Sequence, residues 1–210
     1  RYYNADGGEA EMCGNGARCF GNFAAALLHH DKTAPLPFET MAGVVTATFE
    51  KDGNVTVNLT NPHSMQLFVL NADPTVGADV HFLNTGVPHA VAFLDKLEDL
   101  NISRLGAYLR YHEAFSPKGT NANFARILSP GHIAIRTYER GVEDETLACG
   151  TGMTACALLH AVLADAPSPI QVDVAGGDTL KVGFQRTGDR FTDVTLTGPA
   201  DLVFTGDIQI

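Results

Sequence analysis

Two short stretches of the chain carry the same residues in the same order. Met12-Cys13-Gly14-Asn15-Gly16-Ala17-Arg18-Cys19 and Ala148-Cys149-Gly150-Thr151-Gly152-Met153-Thr154-Ala155-Cys156 both read C-G-x-G, followed by an apolar run with a second Cys inside it; Cys13 and Cys149 stand 136 positions apart. Each apolar run has helical composition, so each first Cys is expected at a helix N-terminus. Unpaired N–H groups and the positive end of the helix dipole meet there, favouring anions and a thiolate. Glycine after the Cys lets a ligand approach the backbone. Two such thiols related by duplication suit inversion of a stereocentre. One thiolate removes a proton from carbon, the opposite thiol returns one to the other face, and helix N–H groups hold a neighbouring carboxylate as its charge grows. This chemistry calls for no metal or organic cofactor, and the chain has no evident motif for one.

The bland alternatives differ from residue to residue. A lone Cys before a helix is more often a small apolar packing residue than a catalyst; the paired occurrence reverses that balance. Cys19 and Cys156, inside the apolar runs, take the packing reading. The four Cys lack the paired-knuckle spacing of a zinc site, and no C-x-x-C suggests a redox pair. Reduced thiols and a cytoplasmic setting are therefore the expectation.

The elements that must position these residues follow from pattern. Helices are expected from about Ala17 to His30, from Met153 to Ala164 and, by Leu105 and Leu109, from Asn101 to Tyr111. The first two carry so little polar surface that both are expected to be core helices surrounded by protein. Strands are expected at Val44–Glu50 and Val55–Leu59 around the turn Lys51-Asp52-Gly53-Asn54, and again at Ala90–Leu94, Ala122–Leu128, His132–Glu139, Ile170–Val174, Leu180–Phe184, Asp193–Thr197 and Asp201–Phe204. Two buried helices, each followed by strands, make an α+β protein of two pseudo-symmetric domains. The expected division is residues 1–72, with 199–210 returning, and residues 73–198.

Composition narrows the class of partner. The 210 residues carry 14 Lys+Arg against 24 Asp+Glu, a net charge of −10, and 45% hydrophobic residues. That is a folded globular composition, and the acidic balance argues against nucleic acid or an anionic membrane surface. No apolar run approaches the roughly 20 residues of a spanning helix. The chain opens Arg1-Tyr2-Tyr3-Asn4 without Met, which suggests that its beginning is missing or processed.

At the two Cys motifs the sequence resembles a known family. Asn4-Ala5-Asp6-Gly7-Gly8-Glu9-Ala10-Glu11 leading into Cys13 is similar to the first signature of diaminopimelate epimerases. Tyr138-Glu139-Arg140-Gly141, followed by Glu145-Thr146-Leu147-Ala148 leading into Cys149, is similar to the second. The similarity runs across essentially the whole chain. It implies two similar domains, each a closed or nearly closed strand layer around a central helix. It also implies cofactor-independent interconversion of LL- and meso-diaminopimelate, in lysine and peptidoglycan precursor synthesis. By resemblance, Cys13 and Cys149 are the acid/base pair, and Gly14, Asn15, Gly150 and Thr151 supply donors to the reacting carboxylate. Asn4, Asn123, Glu139 and Arg140 hold the distal amino-acid head, His89 has a supporting place, and a homodimer is the family-level expectation. The residue chemistry agrees at the distal end, where Arg140 offers a fork for a carboxylate and Glu139 a counter-charge for an ammonium.

Three departures accompany the resemblance. Family members carry a further N-terminal stretch, so the first domain is expected to lack strands. Val87 stands where many members have Asn in Gly86-Val87-Pro88-His89. The loop from Gly141 to Thr146 reads one residue longer than usual. Two alternatives remain: a proline or hydroxyproline racemase of the same fold, whose substrate has no distal head, and a truncated fragment that binds an amino acid without turnover.

Overall fold

The computed structural model describes Tyr3, Gly7, Gly8 and residues 13–207. Its three α-helices are α1 (Gly14–Leu27), α2 (Ile102–Arg110) and α3 (Gly150–Leu163), with one turn of 3-10 helix at Glu113–Phe115. Twelve strands accompany them among the described residues: β1 (Leu36–Thr40), β2 (Gly43–Phe49), β3 (Val55–Asn58), β4 (His63–Asp73), β5 (Ala78–Asn84), β6 (Pro88–Phe93), β7 (Asn121–Ser129), β8 (His132–Glu139), β9 (Asp144–Thr146), β10 (Ile170–Asp173), β11 (Thr179–Thr187) and β12 (Arg190–Gly198). They pair along one path, β1-β2-β3-β12-β11-β10-β8-β7-β6-β5-β4, with β9 added to β8. The α+β reading holds. The path crosses the expected domain boundary twice, where β12 pairs with β3, Leu196 opposite Val57, and where β4 pairs with β5, Gln66 opposite Phe82.

Helix α3 is apolar all round because it is enclosed: β5 to β8 and β10 to β12 all pack against it. Met153, Cys156, Leu158 and Leu159 are fully buried in the core those strands share. Cutting Leu158 to Ala would remove atoms that nothing can replace, at a cost of about 2–5 kcal/mol. A second core lies on the other face of β5 to β8, where α2 sets Ile102, Leu105 and Leu109 against Val80, Phe124 and Tyr138. Gly106 makes that approach close, since a Cβ there would stand 2.3 Å from the Cβ of Tyr138.

Helix α1 departs from the expectation of full enclosure. It buries Gly14, Ala17, Arg18, Gly21 and Ala25, and it packs on β1, β2 and β3. Gly21 faces β2, where a Cβ would stand 2.6 Å from that of Ala47. Phe20, Phe23, Leu27 and Leu28 lie on its exposed side, each at least 48% accessible. Cys19 is exposed as well, against its packing reading, while Cys156 is buried in agreement with it. The apolar sequence of α1 is thus a two-sided surface with one side covered among the described residues.

Both cysteine helices begin three residues earlier than their apolar runs suggested, because the glycines belong to the first turn. Asp201–Phe204 forms no strand; Leu202, Val203 and Phe204 are all at least 75% exposed. Strands β1, β4, β5 and β9 had no clear pattern. Pro37 sits in β1, an edge strand where a missing N–H is tolerated. The other edge, β4, is broken by register shifts and by positive φ at Ser64, Phe68 and Ala72, which erase the alternation that marks a strand.

Candidate active site

Helices α1 and α3 meet head to head. Cys13 is the N-cap of α1, and its Sγ accepts the N–H of Gly16 at 3.3 Å. Cys149 is the N-cap of α3. The first backbone bonds of the two helices run from Ala17 to Cys13 and from Met153 to Cys149, so the preceding N–H groups of Gly14, Asn15, Gly150 and Thr151 lie outside the helical ladders. The glycines let the two ends touch. A Cβ on Gly150 would stand 3.4 Å from Cα of Gly14 and 3.6 Å from the backbone N of Asn15. The Asn15 side chain closes the junction, its Nδ2 donating to the carbonyl of Ala148 at 3.1 Å.

The two thiols differ in environment. Cys13 is half-buried and Cys149 buried. Burial, then the charge of Glu139, push the Cys149 thiol up to about 12; its neighbours Thr151 and Gly152 offset this only in part. Burial thus works at Cys149 against the readily formed thiolate expected of a helix end.

A cleft of about 670 Å³ opens beside the junction, with Cys149, Thr151, Glu139 and Arg140 on its wall. Glu139 ends β8 and Arg140 follows it in the turn, and β9 folds back on that strand so that Glu139 lies opposite Asp144. Thr146 donates to Glu139 Oε1 at 2.5 Å. The returning strand is pinned by a two-pronged Arg136–Glu145 pair, at 2.7 and 2.6 Å. The stretch from Gly141 to Thr146, expected to be a long loop, is thus a hairpin with its tip at Gly141 and Glu143, both at positive φ. Arg140 is anchored through its backbone N–H to Asn121 Oδ1 at 2.9 Å and through Nη1 to the carbonyl of Lys118 at 3.2 Å.

Asn123 is not on the cleft wall. It is fully buried, with Nδ2 donating to the carbonyl of Ala90 at 3.0 Å and to His89 Nδ1 at 3.1 Å, and Oδ1 accepting from Thr137 at 3.0 Å. Gly152 lies directly over it: a Cβ there would stand 2.4 Å from Asn123 Oδ1 and 3.3 Å from Cys149 Sγ. An amide N–H₂ can only donate, so His89 Nδ1 accepts and its proton sits on Nε2. Burial, then the charge of Arg140, hold His89 down to about 3, a neutral ring. Asn123 and His89 therefore form a buried floor beneath Cys149. Asn121, two residues earlier, does line the cleft, as do Lys118, Gln66 and Val87. Alternation along β7 puts Asn121 and Asn123 on one face, so the sequence pattern could not separate rim from floor. Cys13, Gly14 and Asn15 lie at the helix junction rather than on the cleft wall. Asn4 lies outside the described residues.

Comparison with known proteins places this geometry. Residues 1–65 and 81–203 match the family model "Diaminopimelate epimerase". The diaminopimelate epimerases of Hydrogenobaculum sp. and Aquifex aeolicus are each 42% identical, over 98% and 99% of this chain, which spans 73% of each relative. Among solved structures, a hydroxyproline epimerase from Agrobacterium vitis superposes with a TM-score of 0.65 over 93% of this chain and 65% of its own, at 20% identity. That likeness extends the fold alone to a wider group. The family match and the identity to the curated relatives establish that this chain belongs to the diaminopimelate epimerase family.

Proposed function

We propose that the paired helix ends invert the α-carbon of diaminopimelate by acid/base chemistry between Cys13 and Cys149. The chain is an isomerase by family, an amino-acid epimerase of lysine and peptidoglycan precursor synthesis. The observation that carries the assignment is the contact of Gly14 with Gly150, which sets two N-cap thiols beside one junction.

In this reading the α-carboxylate is held by the N–H groups of Gly14, Asn15, Gly150 and Thr151, which steady the charge that builds as the proton leaves. Cys149, a protonated thiol in its buried setting, gives its proton to one face. Cys13, less buried and with its Sγ already accepting an N–H, takes the proton from the other. The reverse reaction exchanges these roles. The distal head meets the Arg140 fork and the Glu139 carboxylate, with Asn121 beside them on the wall. Asn4 belongs to this group by family resemblance. Asn123 and His89 support Cys149 from below rather than touching substrate.

The reading keeps two lobes, residues 1–72 with 199–210 and residues 73–198, each supplying one helix end. It sets the protein in the cytoplasm as a homodimer, which light scattering on the purified chain tests. Among the described residues no helix is long and apolar enough to cross a membrane.

The experiment is LL-diaminopimelate with the reduced chain in heavy water, followed by proton NMR. Loss of the α-proton signal with growth of the meso isomer supports the reading. Binding without exchange would make this chain a binding fragment, and exchange with hydroxyproline instead would move it to the racemase reading.

A further inference from the structure

Arg18 lies one turn into α1 and is 5% exposed. Burying a guanidinium is costly unless its donors are used. Its Nη1 donates to Asn15 Oδ1 at 3.0 Å and its Nε to the carbonyl of Pro199 at 3.4 Å. The Asn15 amide then has one orientation. Arginine can only donate, so the amide oxygen faces Arg18 and the Nδ2 group faces the carbonyl of Ala148, which can only accept. That carbonyl belongs to the peptide unit leading into Cys149.

We propose that Arg18 is a positioning residue for the two-thiol site, acting through the Asn15 side chain to hold the end of α1 against the residue before Cys149. The proposal rests on the two-thiol reading above. The groups facing Arg18 are Cys13 and Cys19 of its own helix and Asp178 from the turn before β11. Arginine keeps its charge across the working pH range, so this anchor does not titrate and holds at every pH at which the thiols exchange protons. It also reaches outward: Asn22, one turn further along, donates to the carbonyl of Ala200 at 2.6 Å. One face of α1 therefore ties residues 199 and 200 on one side and the approach to Cys149 on the other.

The test uses the full chain in a Cys19→Ser background, with Arg18→Met, Arg18→Lys, Asn15→Ala, Asn15→Asp and the Arg18→Met/Asn15→Ala double variant. Two quantities are read: kcat and KM with LL-diaminopimelate, and the rate at which dibromobimane bridges Cys13 to Cys149. Arg18→Met should lower kcat about tenfold or more, since small displacements of reacting groups are costly, with KM changed by less. Bridging should slow in parallel, and the double variant should be no worse than the poorer single one. Arg18→Lys should recover part of the loss. Asn15→Asp keeps a partner for Arg18 but has no donor for Ala148, and should match Asn15→Ala. That variant decides the matter if Arg18→Met does not fold. Wild-type kcat and bridging in Arg18→Met, multiplying losses in the double variant, or unchanged bridging in Asn15→Asp would each overturn the proposal. Bridging in the wild type without turnover of diaminopimelate would instead sink the substrate reading and leave the Arg18 comparison readable.

Discussion

Gly14 and Gly150 press against each other at the head-to-head junction of α1 and α3, with Leu196 filling the space beside both. A Cβ on Gly14 would stand 3.0 Å from Leu196 Cδ2, and one on Gly150 would stand 3.1 Å from the same atom. The junction is backbone against backbone, so main chain limits how closely the two helix ends can approach, while the Asn15 side chain holds them together.

Gly150→Ala tests that spacing. Alanine suits a helix better than glycine by up to about 1 kcal/mol, so the melting temperature should change little. Activity should fall about tenfold, because Leu196 must give by a few tenths of an ångström and the new methyl sits against Gly14 Cα, in the junction the two helix ends share. An unaltered kcat would show that the spacing is not critical.

Cys13→Ala and Cys149→Ala should each lower epimerisation about a thousandfold or more, since each removes one acid/base partner. Circular dichroism and thermal melts should find the fold intact. Full turnover by either variant would end the two-base assignment.

The buried Cys149 thiol predicts an alkaline effect. Its folded pKa, pushed up to about 12, lies above the ordinary thiol value of 9.0. The unfolded chain therefore loses this proton first, and stability falls as pH rises above about 9. Urea titrations at pH 8 and pH 10 should show a smaller loss in Cys149→Ala than in the wild type. Iodoacetamide at pH 8 should reach Cys13 and Cys19 well before Cys149, as peptide mapping would show.

His89 predicts the opposite slope. Its pKa is held down to about 3 from 6.5, so the unfolded state takes up the proton first as pH falls. The stability this provides is whole above about pH 6.5 and is lost on acidification, by about 2 kcal/mol between pH 7 and pH 5. His89→Gln should flatten that part of the pH–stability curve; an unchanged curve would mean the ring is not held neutral.

Asn121 and Asn123 should separate by readout. Asn121→Ala removes a group from the cleft wall and the acceptor for the Arg140 N–H, so KM should rise several-fold or more. Asn123→Ala leaves Thr137, the Ala90 carbonyl and His89 without their partner, a loss of about 1–3 kcal/mol in stability. Equal KM effects from both would contradict the division into rim and floor.

The duplicated Cys-Gly motifs made the two paired helix starts legible in the sequence because spacing along a helix start is a local property. The enclosure of α3 was legible too, since a helix without a polar face has few other places to be. Depth was not. Asn121 and Asn123 share a face and a residue type, and only the closure of strands around α3 makes one a wall and the other a floor. The burial that pushes the Cys149 thiol up was hidden for the same reason: the motif is local, whereas the enclosure of α3 comes from seven strands spread across the chain. The bulged strand β4 lost its alternation to its own irregularity.

The enclosure of α3 also orders events in time. Strands β5 to β8 are made before the helix and β10 to β12 after it, yet all of them wrap it, and β10 joins β8 in parallel across the helix. The wall can close only once the helix is in place and the last third of the chain has arrived. Contacts of such long range slow folding. Cys156, at the centre of α3 and fully buried, becomes unreactive only at closure. Its labelling during refolding would serve as a clock for the moment the strands close round the helix, readable without any substrate.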